Sequence, residues 1–329
     1  MTMFYFIAQQ TMVFMIPLMI VALGGLFSEK SGVVNIALEG KMILGAFTSV
    51  LFISTFGERL SNVFLETFGS PMLWLVLIMA IFIAMITGIL TSVLHAYAAI
   101  HLKANQIISG VAINMFAPAF AIYISRLITG TQNLHFPNNA FRIDSVPFLG
   151  RIPVLGPLFF QNTFITTYLG FGILAISAFV LYKTKFGLRL RACGEHPQAA
   201  DSVGVSVAKM RYAGVLISGA LAGIGGLVWV LPISNVFSGS VLGYGFLALA
   251  VLIFGGWRPL RILFAALFFG IMQVIAQSYS AIPFLVGLGI PAHFYRMTPY
   301  VATLVILAFT SKKTMAPKAA GQPYDKGAR

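Results

Sequence analysis

An acid and a base sit inside an otherwise apolar stretch of this chain. Glu39 and Lys41 fall within Ser31-Gly32-Val33-Val34-Asn35-Ile36-Ala37-Leu38-Glu39-Gly40-Lys41, and the next charge after them is Glu58. Ionisable side chains in apolar surroundings are costly enough to be a functional hypothesis by default. Asn35 and Glu39 are one helical turn apart and share a face. Two readings stand open. In the first, they line a polar pathway or brace a broken helix. In the second, both lie near an interface, with Glu39 capping backbone amides and Lys41 snorkelling toward water. Asn105, Asn114, Gln273 and Gln277 are further polar residues in apolar runs. They suit either a pathway lining or hydrogen bonds between helices, and Gln273 and Gln277 are also one turn apart.

The second chemistry-bearing segment is Thr184 to Val205. Gly194 reads as a turn residue and Pro197 as the first position of a helix, and Gly204 is a suitable stop for it. The helix between them exposes small residues, Ala199 and Ala200, so another protein's groove can approach its backbone closely. The groups of covalent catalysis and phosphate binding are missing. There is no Gly-x-x-x-x-Gly-Lys-Ser/Thr loop, no His-Glu-x-x-His and no Gly-x-Ser-x-Gly turn. The five His are scattered, with His95 and His101 reading as interfacial and no metal site indicated.

The elements that must position these residues follow from composition. The chain has 329 residues, 59% apolar and 9% charged, with a mean hydropathy of +0.92. Soluble domains are roughly 45–50% apolar and about 25% charged. A water-facing surface could not be covered, and a soluble globular enzyme is excluded. One Cys, Cys193, excludes an intrachain disulfide framework and a cysteine zinc cluster.

Long uncharged runs dominate, among them Met1 to Ser28, Thr67 to Leu102, Ala104 to Ser125, Ile152 to Tyr182 and Tyr212 to Trp257. A helix needs roughly 20 apolar residues to cross a bilayer, and strict two-residue alternation is absent. The fold expected is all-α, a polytopic membrane helical bundle of about nine transmembrane helices (range 8–10). The spans fall near 3–27, 33–56, 71–100, 105–128, 162–182, 211–232, 243–257, 262–280 and 297–311, the seventh and ninth being short. Residues 1–310 then form one transmembrane domain, with a cytoplasmic loop at 183–211 and the largest outer loop at 129–161. Small residues in the sixth span (Gly214, Ser218, Ala222 and Gly219, Gly223) permit close helix packing.

Charge placement orients the bundle. With the basic stretch Lys183 to Arg211 inside, 15 of the 21 Lys and Arg residues fall on the cytoplasmic side; Arg59, Arg126, Arg142, Arg151 and Arg296 fall outside, and Lys41 within a span. The positive-inside rule then puts the N-terminus outside and the C-terminus in the cytoplasm. The absence of Lys or Arg before the first apolar run argues against a cleaved signal peptide. Basic inner loops beside anionic lipid account for the net charge of +13 without nucleic acid. The polar 311–329 tail reads as a disordered cytoplasmic end.

The run Gln198 to Gly204 resembles the Ala-Ala-three-residues-Gly pattern of the cytoplasmic coupling loop of ATP-binding-cassette (ABC) importer permeases, with Gln198 in place of the usual leading Glu. Three further stretches extend the likeness to most of 21–310: Ser31 to Gly40, Asn105 to Asn114, and Gly243-Tyr244-Gly245-Phe246 on to Gly255-Gly256. Together they resemble the permease subunits of nucleoside and purine importers, relatives of the branched-chain amino acid and ribose permeases. Lys41 and the Trp257 to Arg261 turn depart from that pattern.

The resemblance implies a multi-pass permease of the cell (inner) membrane, with no catalysis of its own and no cofactor on this chain. ATP and Mg belong to partner ABC ATPase subunits. A second permease subunit, a non-identical paralogue, and an external binding protein or lipoprotein complete the assembly. The solute implied is nucleoside-like. Gly194, Glu195, Pro197, Gln198, Ala199, Ala200 and Gly204 are the residues expected to couple to the ATPase. Permeases for sugars or branched-chain amino acids are the alternative. An ion-coupled secondary transporter fits less well, because Glu39 is a lone buried acid without a paired carboxylate and no repeat is evident.

Overall fold

The structure, a computed structural model, describes residues 2–57, 71–136, 141–146, 148–310 and 315–326. The outer-loop residues 137–140 and 147, and the expected outer charge Arg59, lie outside the described residues, as do 311–314 and 327–329 of the tail.

Uncharged apolar runs leave a backbone in lipid no partner but itself, and helices result. In chain order they are α1 (Thr2–Lys30), α2 (Leu38–Phe52), α3 (Pro71–Ile100), α4 (Gln106–Thr129), α5 (Ile165–Lys183), α6 (Lys185–Glu195), α7 (Pro197–Ser202), α8 (Val207–Ile233), α9 (Tyr244–Phe254), α10 (Pro259–Ser278), α11 (Pro283–Gly287) and α12 (Ala292–Thr310). Among the described residues, seven helical segments are long and apolar enough to cross a membrane. The protein is therefore a polytopic helical membrane protein. Each of the nine apolar segments of the sequence contains a helix, but α9 has 11 residues and spans only about 16 Å at 1.5 Å per residue. The last, α12, carries His293 and Arg296 in its first turns and is not among the seven.

Burial ranks the helices. In α1, 94% of the most apolar window is buried and in α8, 83%, against 17% in α4. α1 and α8 are thus the centre of the bundle, and α4 presents most of its surface outward. α8 packs on α1, α2 and α3, and its small residues explain how. A Cβ at Gly223 would lie 2.1 Å from the Ala84 carbonyl oxygen of α3, and one at Gly226 would lie 2.0 Å from the Met42 carbonyl oxygen of α2. Backbones in contact gain dispersion along their whole length, which is what associates helices in lipid. Gly223→Ala should therefore overpack the bundle by about 1–3 kcal/mol and lower its thermal midpoint in detergent. Gly172→Ala, where nothing lies within 4 Å, should leave it unmoved. Equal midpoints would refute this packing account.

Two short antiparallel pairs occupy one end of the bundle. β1 (Leu134–His135) pairs with β4 (Val236–Phe237), and β2 (Arg142–Ser145) pairs with β3 (Gln161–Phe164). The described part of the long 129–161 loop is consequently an ordered cap.

Three sequence expectations need correction. The second span was expected to be helical from residue 33, but residues 33–37 are not helical and α2 begins at Leu38. Gly194 is not a turn residue; it lies in the last turn of α6, where a Cβ would meet the Lys30 carbonyl oxygen at 2.4 Å. The tail was expected to be disordered, but residues 315–326 lie against the bundle. Ala319 N–H donates to Gly194 O (2.9 Å), Gly321 N–H to Gly32 O (3.2 Å) and Arg211 Nη1 to Gln322 O (2.9 Å). Polar composition predicts disorder because it lacks apolar area to bury; here backbone hydrogen bonds and the buried Arg211 supply the partners instead.

Candidate functional site

The unwound segment between α1 and α2 is the unusual feature of the core. Ser31, Val33, Asn35 and Ala37 are fully buried, where unpaired backbone groups cost about 1–3 kcal/mol each. Side chains from three helices satisfy them. Gln106 Oε1 accepts from Val34 N–H (2.8 Å), Asn114 Nδ2 donates to Ile36 O (2.9 Å) and Asn114 Oδ1 accepts from Gly40 N–H (2.7 Å). Ser28 Oγ donates to Val33 O (2.7 Å), and His95 Nε2 donates to Val34 O (3.1 Å). Irregular backbone at membrane depth is tolerated only where protein replaces the missing helix bonds in this way. His95 is thus fully buried against this segment. His101 stacks on Tyr97 and lies 2.8 Å from Tyr212 Oη.

Asn35 and Lys41 close the segment from within. Lys41 is fully buried, and its Nζ donates to Asn35 Oδ1 (2.9 Å), while Asn35 Nδ2 donates to Ser218 Oγ on α8 (2.7 Å). Lys41 does not snorkel. Its ammonium group is held inside the bundle by Asn35.

Glu39 joins the segment to a second interruption. α8 ends at Ile233, and the chain runs as β4 and a turn before α9 starts at Tyr244. The Glu39 carboxylate accepts from Gly243 N–H (Oε1, 2.9 Å) and Gly245 N–H (Oε2, 2.6 Å). It therefore caps the N-terminus of α9, where backbone donors are unpaired and the helix dipole favours an anion. Bracing a broken helix and capping backbone amides, separate possibilities in the sequence, turn out to be one arrangement. A Cβ at Gly245 would meet the Glu39 backbone nitrogen at 2.4 Å, so this close approach requires glycine.

The other pathway candidates divide. Asn114 belongs to this cluster. Asn105 sits at its edge as the N-cap of α4, accepting from Ile107 and Ile108 N–H (2.9 and 3.3 Å). Gln273 is buried in α10 and Gln277 exposed one turn on; among the described residues, no hydrogen bond joins either to Glu39. Sequence reasoning missed Gln106, whose signal was a polar residue directly after a cap, and Ser218, which it read only as a packing residue.

At the opposite end from the strand pairs lies the short α7. His196 breaks α6 (φ −142°), and Pro197 opens α7. Gly204 (φ +82°) ends it, with Val205 N–H returning to Ala200 O (3.0 Å). Of the expected coupling residues, Gly194, Pro197 and Ala200 are buried, whereas Gln198, Ala199 and Gly204 face outward and Glu195 is half-buried. Ala200 packs with Cys193 and Val207 under Tyr324 of the tail, and burial pushes the Cys193 thiol up, away from reactivity. Val203, 77% exposed, is an outward apolar residue that the sequence reading passed over.

A continuous chain of contacts connects this end to the interruption. Lys30 Nζ lies 3.9 Å from Glu195 Oε1, Gly194 abuts the end of α1, and the tail bonds both Gly194 and Gly32. Asp325 pairs with Lys103 (2.6 Å) and Asp201 with Lys326 (3.8 Å). Such exposed pairs contribute little each, so the backbone bonds and the buried Arg211 hold the tail.

Comparison with known proteins matches residues 7–309 to the family described as branched-chain amino acid transport system / permease component. The chain is 46% identical over 324 residues to the guanosine ABC transporter permease protein NupQ of Bacillus subtilis, covering 98% of this chain and 97% of that one. It is 39% identical to the nucleoside ABC transporter permease protein NupC of Lactococcus lactis, covering 97% and 96%. It is 30% identical to the putative glucose ABC transporter permease protein TsgC13 of Haloferax volcanii, covering 94% of each. No solved structure matches.

Proposed function

From the premise that this chain belongs to the branched-chain amino acid transport system permease family, we propose that it is the membrane-spanning subunit of an ABC importer that carries nucleosides into the cytoplasm. The observation that carries the substrate is identity along nearly the whole chain to permeases named for guanosine and nucleosides. It is a transport subunit and not an enzyme.

The remaining parts of the reading follow from that assignment. ATP and Mg bind partner ATPases, and this chain carries no cofactor. A second, non-identical permease faces it, since one related species has both a NupB and a NupC permease. An external binding protein delivers the solute to the end capped by the strand pairs. The basic end is cytoplasmic, the N-terminus is outside, and the protein resides in the cell (inner) membrane. The count of nine includes α9 as a half-span and α12 as a ninth segment.

In mechanism, ATP binding draws the two ATPases together and moves α7, whose outward face (Gln198, Ala199, Val203) offers small and apolar contact. That motion passes through Gly194 and the tail to Gly32, and so to the unwound segment held by Gln106, Asn114 and Asn35. Glu39 ties this segment to α9, and two interrupted helices shift as one unit. Interrupted helices of this kind line the substrate site in many alternating-access transporters of other classes.

Competition in reconstituted proteoliposomes containing the full complex tests the substrate. Unlabelled nucleosides in hundredfold excess should reduce labelled guanosine uptake by more than about tenfold, and ribose, glucose or leucine should leave it unchanged. Ribose, glucose or leucine transported in place of guanosine would overturn the nucleoside assignment.

A further inference from the structure

A cavity of about 260 Å³ opens beside the start of α9, lined by Gln10, Phe14, Trp229, Leu242, Tyr244 and Gln277 among others. It is just under the range of clefts that hold drug-sized ligands, roughly 300–1,000 Å³. Four helices build it. Gln10 and Phe14 are one turn apart on α1, Trp229 lies in the last turns of α8, Tyr244 is the first residue of α9 and Gln277 is on α10.

Three observations mark it as a binding site. First, the Trp229 and Tyr244 rings are 5.3 Å apart at 57°, both at most 5% exposed, and among the described residues Nε1 and Oη have only each other as polar neighbours, without a well-formed hydrogen bond. Buried polar groups left so are rare and point to a role beyond packing. Second, Leu242 at the rim takes a left-handed conformation (φ +52°) and is 61% exposed, beside Gly243 (φ +80°). Strain in a non-glycine residue persists only where neighbours impose it, and it gathers at ligand clamps; here Leu242 N–H donates to Ser240 Oγ (3.1 Å) and the next residue, Gly243, is held by Glu39. Third, the lining carries no charged side chain, so a zwitterionic amino acid or a phosphorylated solute would find no counter-ion.

We infer that this cavity is the subsite for the planar, uncharged base of the transported solute, with Phe14, Trp229 and Tyr244 packing on the ring and Gln10 and Gln277 reading its hydrogen-bonding edge. This rests on the nucleoside reading above and adds where the solute sits. A planar heterocycle gains from aromatic faces whatever its identity, and an amide supplies a donor and an acceptor side by side, the complement of a base edge. Neither the Gln10 nor the Gln277 side-chain amide has a hydrogen bond within the described residues, so both amides are free to serve. The site touches the α9 N-terminus that Glu39 caps, so movement of the unwound segment would release the base directly.

The test uses the intact complex in proteoliposomes. Gln10→Ala with Gln277→Ala should raise the guanosine concentration for half-maximal uptake by about tenfold, with the maximal rate within about twofold of wild type. Guanosine should quench tryptophan fluorescence of the detergent-purified permease pair, and that quenching should vanish in Trp229→Phe. Wild-type half-saturation in the double glutamine variant, together with quenching that survives Trp229→Phe, would remove the base from this cavity and leave the nucleoside assignment standing. If the wild-type complex moves a sugar and not guanosine, the base subsite falls together with that assignment.

Discussion

Glu39→Ala is expected to abolish uptake and to lower the thermal midpoint of the assembled protein, the largest effect of any single substitution outside the packing stripe of α8. The carboxylate receives two backbone N–H groups at 2.9 and 2.6 Å and is 7% exposed. Hydrogen bonds to a charged group contribute about 1.5–3 kcal/mol each, and the alanine leaves two buried donors at a helix N-terminus without acceptors. The sum, on the order of 3–6 kcal/mol, is a large fraction of the roughly 5–15 kcal/mol that typically holds a domain folded. The turn before α9 would lose the geometry that holds Leu242 at φ +52°. Glu39→Gln keeps one acceptor oxygen and should retain partial uptake, and Glu39→Asp is one methylene too short to reach both glycines. Thermal unfolding alongside uptake would decide it: wild-type values in both assays for Glu39→Ala would mean that Glu39 does not hold α9.

Ala199→Arg should leave the protein inserted and folded while uptake falls by at least about 30-fold, the loss of roughly 2 kcal/mol at a contact hot spot. Ala199 is exposed on α7, so an arginine there intrudes on whatever groove receives the helix. Val203→Asp, at a site 77% exposed, should act the same way by placing a charge in that apolar contact. The structure separates these from Ala200→Arg. Ala200 is 3% exposed against Cys193 and Val207, so that variant disrupts the local core and reports on folding, not on coupling. ATPase activity measured together with uptake distinguishes the cases. Hydrolysis that persists without transport marks uncoupling; normal uptake in both Ala199→Arg and Val203→Asp would eliminate α7 as the contact.

The two interruptions of the bundle show where reading stopped. From the residues alone, Asn35 and Glu39 are one helical turn apart and share a face. The backbone there is not helical before Leu38, so Asn35 points to Lys41 and Ser218 while Glu39 reaches across to Gly243 and Gly245. The residues within 31–41 allow a broken helix but do not fix it, because most of the groups that make the unwound form stable, Gln106, Asn114 and His95, lie more than 50 residues away. Lys41 was drawn to the interface for the same reason. The tail was lost to composition, which measures apolar content but not the specific backbone acceptors of Gly32 and Gly194.

The sequence by itself determined that the chain lives in a bilayer, that its spans are helices, that α7 runs from Pro197 to a stop at Gly204, and that its motifs resemble those of importer permeases. These are local or additive properties: apolar length, charge placement, a proline and a glycine at the two ends of one short helix. Only the tertiary structure decided which of the polar residues meet. Burial of a polar group is stable when its partner is present, and that partner lies on another helix at an unrelated place in the chain. Glu39 capping α9, Asn114 replacing the missing bonds of residues 36 and 40, and Trp229 beside Tyr244 are all pairings of this kind, invisible in either residue's own neighbourhood.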